Sequence, residues 1–331
     1  MRRPGIDDYS GYTDKSYKYR VGQIYPDSKG IHMSIHFRQP ATREDYIEYL
    51  GKLDLKPPVV IKPNWGTSVC FTEAEIIDWT LEAVDGDAIV VESYGWARTE
   101  EVLRTGRLGS KKRGDLRGSD EWFLRYSGMD KILEKHEVEY LNITEENWAG
   151  RTVDAEEIRG QVESVHEPIM REELYGVIPE KLYELRYGDL LSLSKVKLWQ
   201  DDIGVSLTIK NIFGMIPNPS RMRYHGKGHK NLHINIVDIF KIYDSVFNIK
   251  GVVEAMKTAS VHDADEGKTC IIPDPMFVAV SKNPLELDAA CALMMGVEPS
   301  KNRYLSRAAD TFGNWSDDVG LIKEAGIRII D

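Results

Sequence analysis

Residues 31–37 read Ile-His-Met-Ser-Ile-His-Phe, an alternation of apolar and polar positions with the period of two that belongs to a strand. That pattern sets His32, Ser34 and His36 on one side, either as a solvent-facing strand face or as a pair of metal-ligating rings. Residues 42–50 follow as a helix, with Thr42 as the N-cap and Asp45 at the third helical position in place of the usual Glu. Val59-Val60-Ile61 is a continuous β-branched run, the mark of a central strand covered on both faces. It delivers Lys62-Pro63-Asn64-Trp65-Gly66. A helix from Glu73 to Val84 behind Thr72, then a second buried run over 88–91, gives a strand–helix–strand order that predicts a parallel βαβ unit. The second run ends in Glu92-Ser93-Tyr94-Gly95-Trp96. Open α/β sheets bind ligands at the carboxyl ends of their strands, so Lys62, Asn64, Glu92 and Ser93 fall at one edge.

Residues 105–119 read as a Gly-punctuated basic loop, in which Lys111-Lys112-Arg113 is either a solvated charge run or an attractor of phosphate groups. A helix over 127–135 and a strand over 138–142 follow. Residues 148–175 are acidic without apolar periodicity, and 179–187 form a short helix leading into a strand over 188–195. Val205, Leu207 and Ile209 alternate with polar positions, which predicts a strand with Lys210 on the side of Ser206 and Thr208. Residues 234–247 carry a helical stripe, 271–272 and 276–280 are strand segments, and Asn283-Pro284 opens a helix that stops at Gly296. A short helix over 320–325 and a terminal strand over 327–330 close the pattern. The expected fold is α/β, with a Rossmann-like, largely parallel or mixed sheet flanked by helices in one or two lobes. Residues 1–55 form an N-terminal arm with the first strand and helix, 56–150 a first lobe, 151–187 an acidic connection and 188–331 a second lobe.

Charge narrows the partners. Forty-three Lys and Arg against 53 Asp and Glu leave a net charge of −10 over 331 residues, which argues against a nucleic-acid or membrane-surface protein. The three cysteines, Cys70, Cys270 and Cys291, lie far apart with no CxxC pair, which argues against an iron–sulfur cluster or a four-Cys zinc site. No apolar run approaches a membrane span, and Met1-Arg2-Arg3 is followed by Pro4-Gly5-Ile6-Asp7-Asp8 rather than by a leader sequence. A cytoplasmic protein is expected.

The stretch from Lys195 to His225 concentrates the candidate chemistry. Lys210 suits an anion, or a base or nucleophile if burial lowers its pKa; a structural ion pair is the other reading. His225 suits proton transfer near neutral pH, with Glu92 as a carboxylate partner. Lys62, Asn64, Ser93, Lys195, Lys197, Asn211 and Arg221 are candidate ligand-binding groups, although Asn211 serves equally as a cap of the turn after it. His229 and His233 are four apart and could share a metal, whereas Gly226 and Gly228 interrupt a helix through His225. Asp288, inside an apolar helix, reads as a structural hydrogen-bond or ion-pair partner.

Taken in order, the segments VVIKPNWG, the Thr72-led helix, VVESYG, RYSGMDKILEKHEVEYLNI, KVKLW, KNIFGMIP with the following His, and LELDAACALMMGVEP resemble one family, the domain of unknown function 362. The resemblance covers about residues 56–305 and is most specific at Lys210–Pro217, at Lys62-Pro63-Asn64 and at Asp288. It implies the α/β fold more than a reaction. Many members carry ferredoxin-type cysteine runs, which this chain lacks. The family's K-x-K-T-H is here Lys195-Val196-Lys197-Leu198-Trp199, so Trp199 stands where a His is usual, and the Asp and Gly/Pro-rich run usual near 250–268 has no match. Lactate racemases with a nickel-pincer cofactor show a loosely similar order of His, Gly, Lys and His, here Trp199, Gly204, Lys210 and His225.

These readings converge on an enzyme of isomerase or transferase type that binds a small anionic metabolite, carboxylate or phosphate, at the sheet edge. Two alternatives stay open: an accessory protein that holds a partner in the same groove, and a metal-dependent enzyme. A homo-oligomer or a redox partner is compatible with each, and the sequence names no cofactor.

Overall fold

The computed structural model describes residues 34–200, 203–263 and 268–330. Its strands are β1 (Ile35–Arg38), β2 (Val59–Lys62), β3 (Ala88–Glu92), β4 (Glu139–Asn142), β5 (Asp189–Lys195), β6 (Lys197–Trp199), β7 (Gly204–Ser206), β8 (Asn248–Ala255), β9 (Thr258–Asp263), β10 (Lys268–Pro273) and β11 (Phe277–Ser281). A seven-stranded sheet runs in the order β1-β11-β8-β5-β2-β3-β4, and a four-stranded sheet in the order β10-β9-β6-β7. In the large sheet β8, β5, β2, β3 and β4 are mutually parallel, while β11 and β1 add antiparallel at one side. The fold is therefore α/β with a mixed sheet.

The uniformly apolar strands follow from helices on both faces. Val60 packs into one core and Val59 and Ile61 into the other; in β8, Ile249 and Val253 face the first and Val252 the second. The helix after β2, Ala74–Ala83, sends Ile76, Ile77 and Trp79 into the second core. The helices after β5, Thr208–Ile212 and Leu232–Asp244, send Ile209, Ile212, Ile236 and Ile239 into the first. Adjacent parallel strands β2 and β5 thus dispatch the chain to opposite faces, which opens a crevice at their carboxyl ends. Beyond it β5 and β8 leave the large sheet together. Lys195 sits opposite Glu254 in β8, and two residues on Lys197 sits opposite Ser260 in the small sheet.

Several sequence expectations meet corrections here. The first strand spans 35–38, the Thr42–Asp45 capping box forms, and His32 with the rest of the 1–33 arm lies outside the described residues. The second half of the basic loop, 113–119, belongs to the helix Arg113–Ser127, because Leu116, Asp120 and Phe123 bury one face despite Gly114 and Gly118, while 106–112 is irregular as expected. Gly128, at φ +79°, separates it from a second helix, Met129–Lys135. Within the acidic stretch, Asp154 caps the helix Ala155–Glu163, which buries Ile158 and Val162 one turn apart. The apparent strand over 205–209 stops at Ser206. Strand β8 escapes the hydrophobic pattern because Gly251 interrupts it, and an added Cβ there would meet Leu287 Cδ2 at 2.8 Å and Thr208 Cγ2 at 3.0 Å. Residues 327–330 form no strand. Among the described residues no helix is long and apolar enough to cross a membrane.

The large sheet takes strands from both sides of residues 151–187, with β2 and β5 as immediate neighbours.

Candidate functional site

The crevice between β2 and β5 is closed at the bottom by side chains that fasten the strand ends to each other. Asn211 Nδ2 donates to the Lys62 carbonyl at 2.9 Å, to Ser192 Oγ at 3.2 Å and to the Leu193 carbonyl at 3.3 Å. Its Oδ1 accepts from Asn64 Nδ2 at 3.2 Å and from Lys62 Nζ at 3.4 Å. Lys62 Nζ also donates to Glu92 Oε2 at 2.9 Å and to the Pro63 carbonyl at 2.6 Å. The Glu92 carboxylate accepts further from the backbone N–H groups of Trp65 at 3.2 Å and Ser93 at 2.9 Å. Lys62 is 1% and Glu92 2% exposed, so the ion pair is desolvated and satisfied at the same time.

Asn211 is in place because a short helix begins just before it. Asp288, from the apolar helix Pro284–Met294, accepts from the backbone N–H of Thr208 at 2.8 Å, from that of Ile209 at 2.9 Å and from Thr208 Oγ1 at 2.5 Å. This is an N-cap supplied from another element, and it turns the chain from strand to helix at Leu207. Burial pushes the Asp288 carboxyl up to about 7, against the opposing pull of those donors. The expected structural role of Asp288 is therefore concrete: it holds the helix that carries Lys210 and Asn211.

Above the floor lies a pocket of about 220 Å³ whose lining includes Lys62, Asn64, Glu92, Trp96, Lys210, Asn211, Arg221 and His225. Gly214 forms part of its wall, since a Cβ there would come within 2.9 Å of Lys62 Nζ and 3.3 Å of Glu92 Oε1. The Gly214 carbonyl accepts from Ser93 Oγ at 2.6 Å and from Arg221 Nη2 at 2.8 Å. Arg221 also donates to Ser93 Oγ, to the Ile216 carbonyl at 3.3 Å and to the Tyr94 carbonyl at 3.5 Å. All of these acceptors are neutral, and among the described residues its guanidinium has no carboxylate partner within ion-pair distance. Lys210 Nζ lies over the Trp199 ring, 5.2 Å from its centroid, and Trp199 leans on His262 at 4.5 Å. His225 packs edge-on against Phe213 and sets its Nδ1 2.8 Å from Nδ1 of His229.

The electrostatics of the pocket favour a negative visitor. Burial pulls Lys62 down to about 8; Glu92 opposes this, while Arg221 and Arg98 reinforce it. Burial works to raise the Glu92 carboxyl, but Lys62, Arg98 and Arg221 outweigh it and leave the group below its ordinary range. Arg221 is lowered to about 10, first by burial, with Arg98 adding to the effect. His225 is lowered to about 4 by burial and by His229, Lys210 and Arg221 around it, so the ring is neutral at pH 7. Among the described residues Glu92 is the one carboxylate that lines the pocket, beside Lys62, Lys210 and Arg221.

Not every sequence candidate reaches the pocket. Lys195 is fully buried behind it, 2.5 Å from Glu73 and 3.0 Å from Glu254. Lys197 donates to Asn64 Oδ1 at 2.6 Å and stands one layer back. Ser93 contributes through the Gly214 carbonyl and Arg221. His229 and His233 line a separate small cavity of about 20 Å³, and only His229 contacts His225. Among the described residues the grouping with metal-ligand spacing is Asp78, Glu82 and His136, elsewhere on the molecule. The sequence reading missed Arg98, which is buried, pairs with Asp120 and donates to the carbonyls of Trp65 and Ser93, both at 3.2 Å. It also missed Trp96 and Gly214 as lining residues. For Arg98 the available signal was its place six residues after Glu92, on the same strand-end loop.

Comparison with known proteins gives one family and no individual relative. Residues 59–293 match the profile of the family described as "Domain of unknown function (DUF362)". No curated protein and no solved structure matches the chain. Strands β2 to β8, the whole pocket and Asp288 lie within the matched residues. The chain belongs to the DUF362 family.

Proposed function

We propose that the pocket at the β2–β5 edge binds a small anionic metabolite, carboxylate or phosphate, and that the protein is an enzyme of isomerase or transferase type acting on it. The observation that carries this reading is Arg221, a guanidinium lining the pocket whose hydrogen bonds go to neutral oxygens. Lys210 adds a second cation on the same pocket. Proton transfer falls to His225, a neutral ring at pH 7, and to Lys62, whose ammonium releases its proton near pH 8. Glu92 holds Lys62 in place and takes part in the exchange. The volume of about 220 Å³ lies below the roughly 300–1,000 Å³ of sites for drug-sized ligands, which suits a compact metabolite.

The accessory-protein alternative calls for a flat apolar face around Trp199, Phe213 and Met215. Met215 is fully buried and Phe213 7% exposed, so the concave pocket gives more support to a ligand site. Titration calorimetry with acetate and inorganic phosphate tests the proposal. Arg221→Gln and Lys210→Ala are each expected to weaken binding about tenfold, the scale of one lost charge-assisted contact. His225→Gln is expected to keep binding and to lose solvent-deuterium exchange into a bound hydroxy or keto acid. Unchanged binding in both cation variants overturns the assignment.

A further inference from the structure

We propose that the ligand of this pocket carries two separated anionic groups, as a short phosphorylated carboxylic acid does, and that Lys111 and Lys112 on the Trp96 wall receive the second group. The inference rests on the reading of the pocket as an anion site. Residues 107–113, Arg-Leu-Gly-Ser-Lys-Lys-Arg, contain four cations and no acid, in a chain whose net charge is −10.

The segment is fastened to the pocket wall. The Gly109 N–H donates to the Trp96 carbonyl at 2.9 Å, and a Cβ on Gly109 would meet Thr99 Cγ2 at 2.6 Å, so this close approach requires a glycine. Two residues on, Lys111 Nζ sits 4.0 Å from the centroid of the Trp96 ring, and Trp96 is one of the residues that line the pocket. Arg113 is engaged over Trp148 at 4.6 Å, and of the other three cations Lys111 is the one that touches a lining residue, with Lys112 next to it in sequence. Both are exposed, and among the described residues neither has an ion-pair partner. A solvated charge run has no need of an aromatic wall or of a glycine that lets it lie there.

Cations therefore stand on two sides of the ligand space: Arg221 and Lys210 in the pocket lining, and Lys111, with Lys112 beside it in sequence, against the lining residue Trp96. A single carboxylate or phosphate engages one wall. A ligand with a phosphate at one end and a carboxylate at the other engages both, and the limited volume keeps it to a few carbon atoms.

The test compares three probes by titration calorimetry on the full chain: acetate, inorganic phosphate and 3-phosphoglycerate. The wild type is expected to bind 3-phosphoglycerate at least tenfold more tightly than either single anion. The double variant Lys111→Ala/Lys112→Ala is expected to lose roughly tenfold for 3-phosphoglycerate, to change less than about twofold for acetate and phosphate, and to show a shallower salt dependence. No loss in the double variant, or an equal loss for all three probes, overturns the two-wall proposal and leaves the Arg221 site standing. Binding of every probe that is insensitive to Arg221→Gln, or no binding at all by the wild type, overturns both.

Discussion

Two buried lysines close the ends of adjacent strands, and they have opposite fates. Lys62 ends β2 and Lys195 ends β5, and each is almost wholly removed from water. Lys195 meets two carboxylates, Glu73 and Glu254. Burial works to lower its pKa, but the two negative neighbours prevail and raise it above the ordinary lysine range. Lys62 meets one carboxylate and feels Arg98 and Arg221, so burial prevails and its pKa falls to about 8. Residue type and depth are the same in the two cases. The number of counter-charges separates a structural lysine, locked as a cation, from one that can exchange a proton beside a pocket.

Lys195→Met should be the most damaging of the substitutions this comparison suggests. It leaves Glu73 and Glu254 facing each other in a dry site, with a loss on the order of 3–5 kcal/mol in urea unfolding. Replacing Glu73 and Glu254 by Gln in the same chain should recover part of that loss, because the stranded charges go with it. A loss below about 1 kcal/mol for Lys195→Met would put Lys195 outside the structural class.

Lys62→Met tests the other half through pH. The folded-state pKa of about 8 lies below the 10.5 of an unperturbed lysine. Between those values the unfolded chain binds the proton and the folded chain has released it, so stability rises with pH across this window. Unfolding followed from pH 8 to 10.5 should show the rise in wild type and its absence in Lys62→Met, taken as a difference between the two proteins. Lys195 contributes little over most of this window, because its unfolded-state value of 10.5 is reached only at the upper end; there its raised folded-state pKa makes stability begin to fall as pH rises. A difference that is flat with pH would contradict the depressed pKa. Glu92 is left with Arg98 and Arg221 for company, so the substitution should destabilise less at neutral pH than Lys195→Met does.

Asp288→Ala is expected to cost about 1–2 kcal/mol through loss of the cap on Thr208–Ile212. It should also weaken anion binding several-fold, although Asp288 does not line the pocket, because that helix sets Lys210 and Asn211. Asp288→Asn, which keeps an acceptor for the cap, should restore most of both. Equal losses in the two variants would mean that the charge, and not the cap, matters at this position.

What was legible in the sequence follows from the range of the interactions that decide each element. The runs at 59–61 and 88–91 and the Thr42 cap are local, and they stand where expected. The stretch around Lys210 is decided at a distance. Its alternating pattern reads as a strand, but Asp288, 80 residues on, converts it to a helix. Gly251 hides β8 for the same kind of reason: it makes room for the residues that pack on the strand. In the site, Lys62, Asn64, Glu92, Lys210, Asn211, Arg221 and His225 share one pocket, and strand-end position was the readable signal for Lys62, Asn64 and Glu92. Lys195 and Lys197 occupy equally promising positions in the sequence. Their exclusion from the lining depends on Glu73 and Asn64, which no spacing rule pairs with them.

The smallest effect on stability belongs to His225, and there the comparison of the two lysines extends to the mouth of the pocket. His225 is partly exposed, its Nδ1 partner is another histidine, and its substitution by Gln should change stability by no more than about 0.5 kcal/mol. Its effect should appear in binding. With a pKa of about 4, held down by burial and by His229, Lys210 and Arg221, the ring is neutral at pH 7 and becomes a cation only in acid. A bound anion favours that charge, so the affinity for sulfate, an anion that does not itself titrate over this range, should rise in wild type as pH falls from 6 toward 4. His225→Gln should lack this rise while matching wild type at pH 7. Identical acid profiles in the two proteins would place His225 outside the field of the bound anion and leave proton transfer to Lys62.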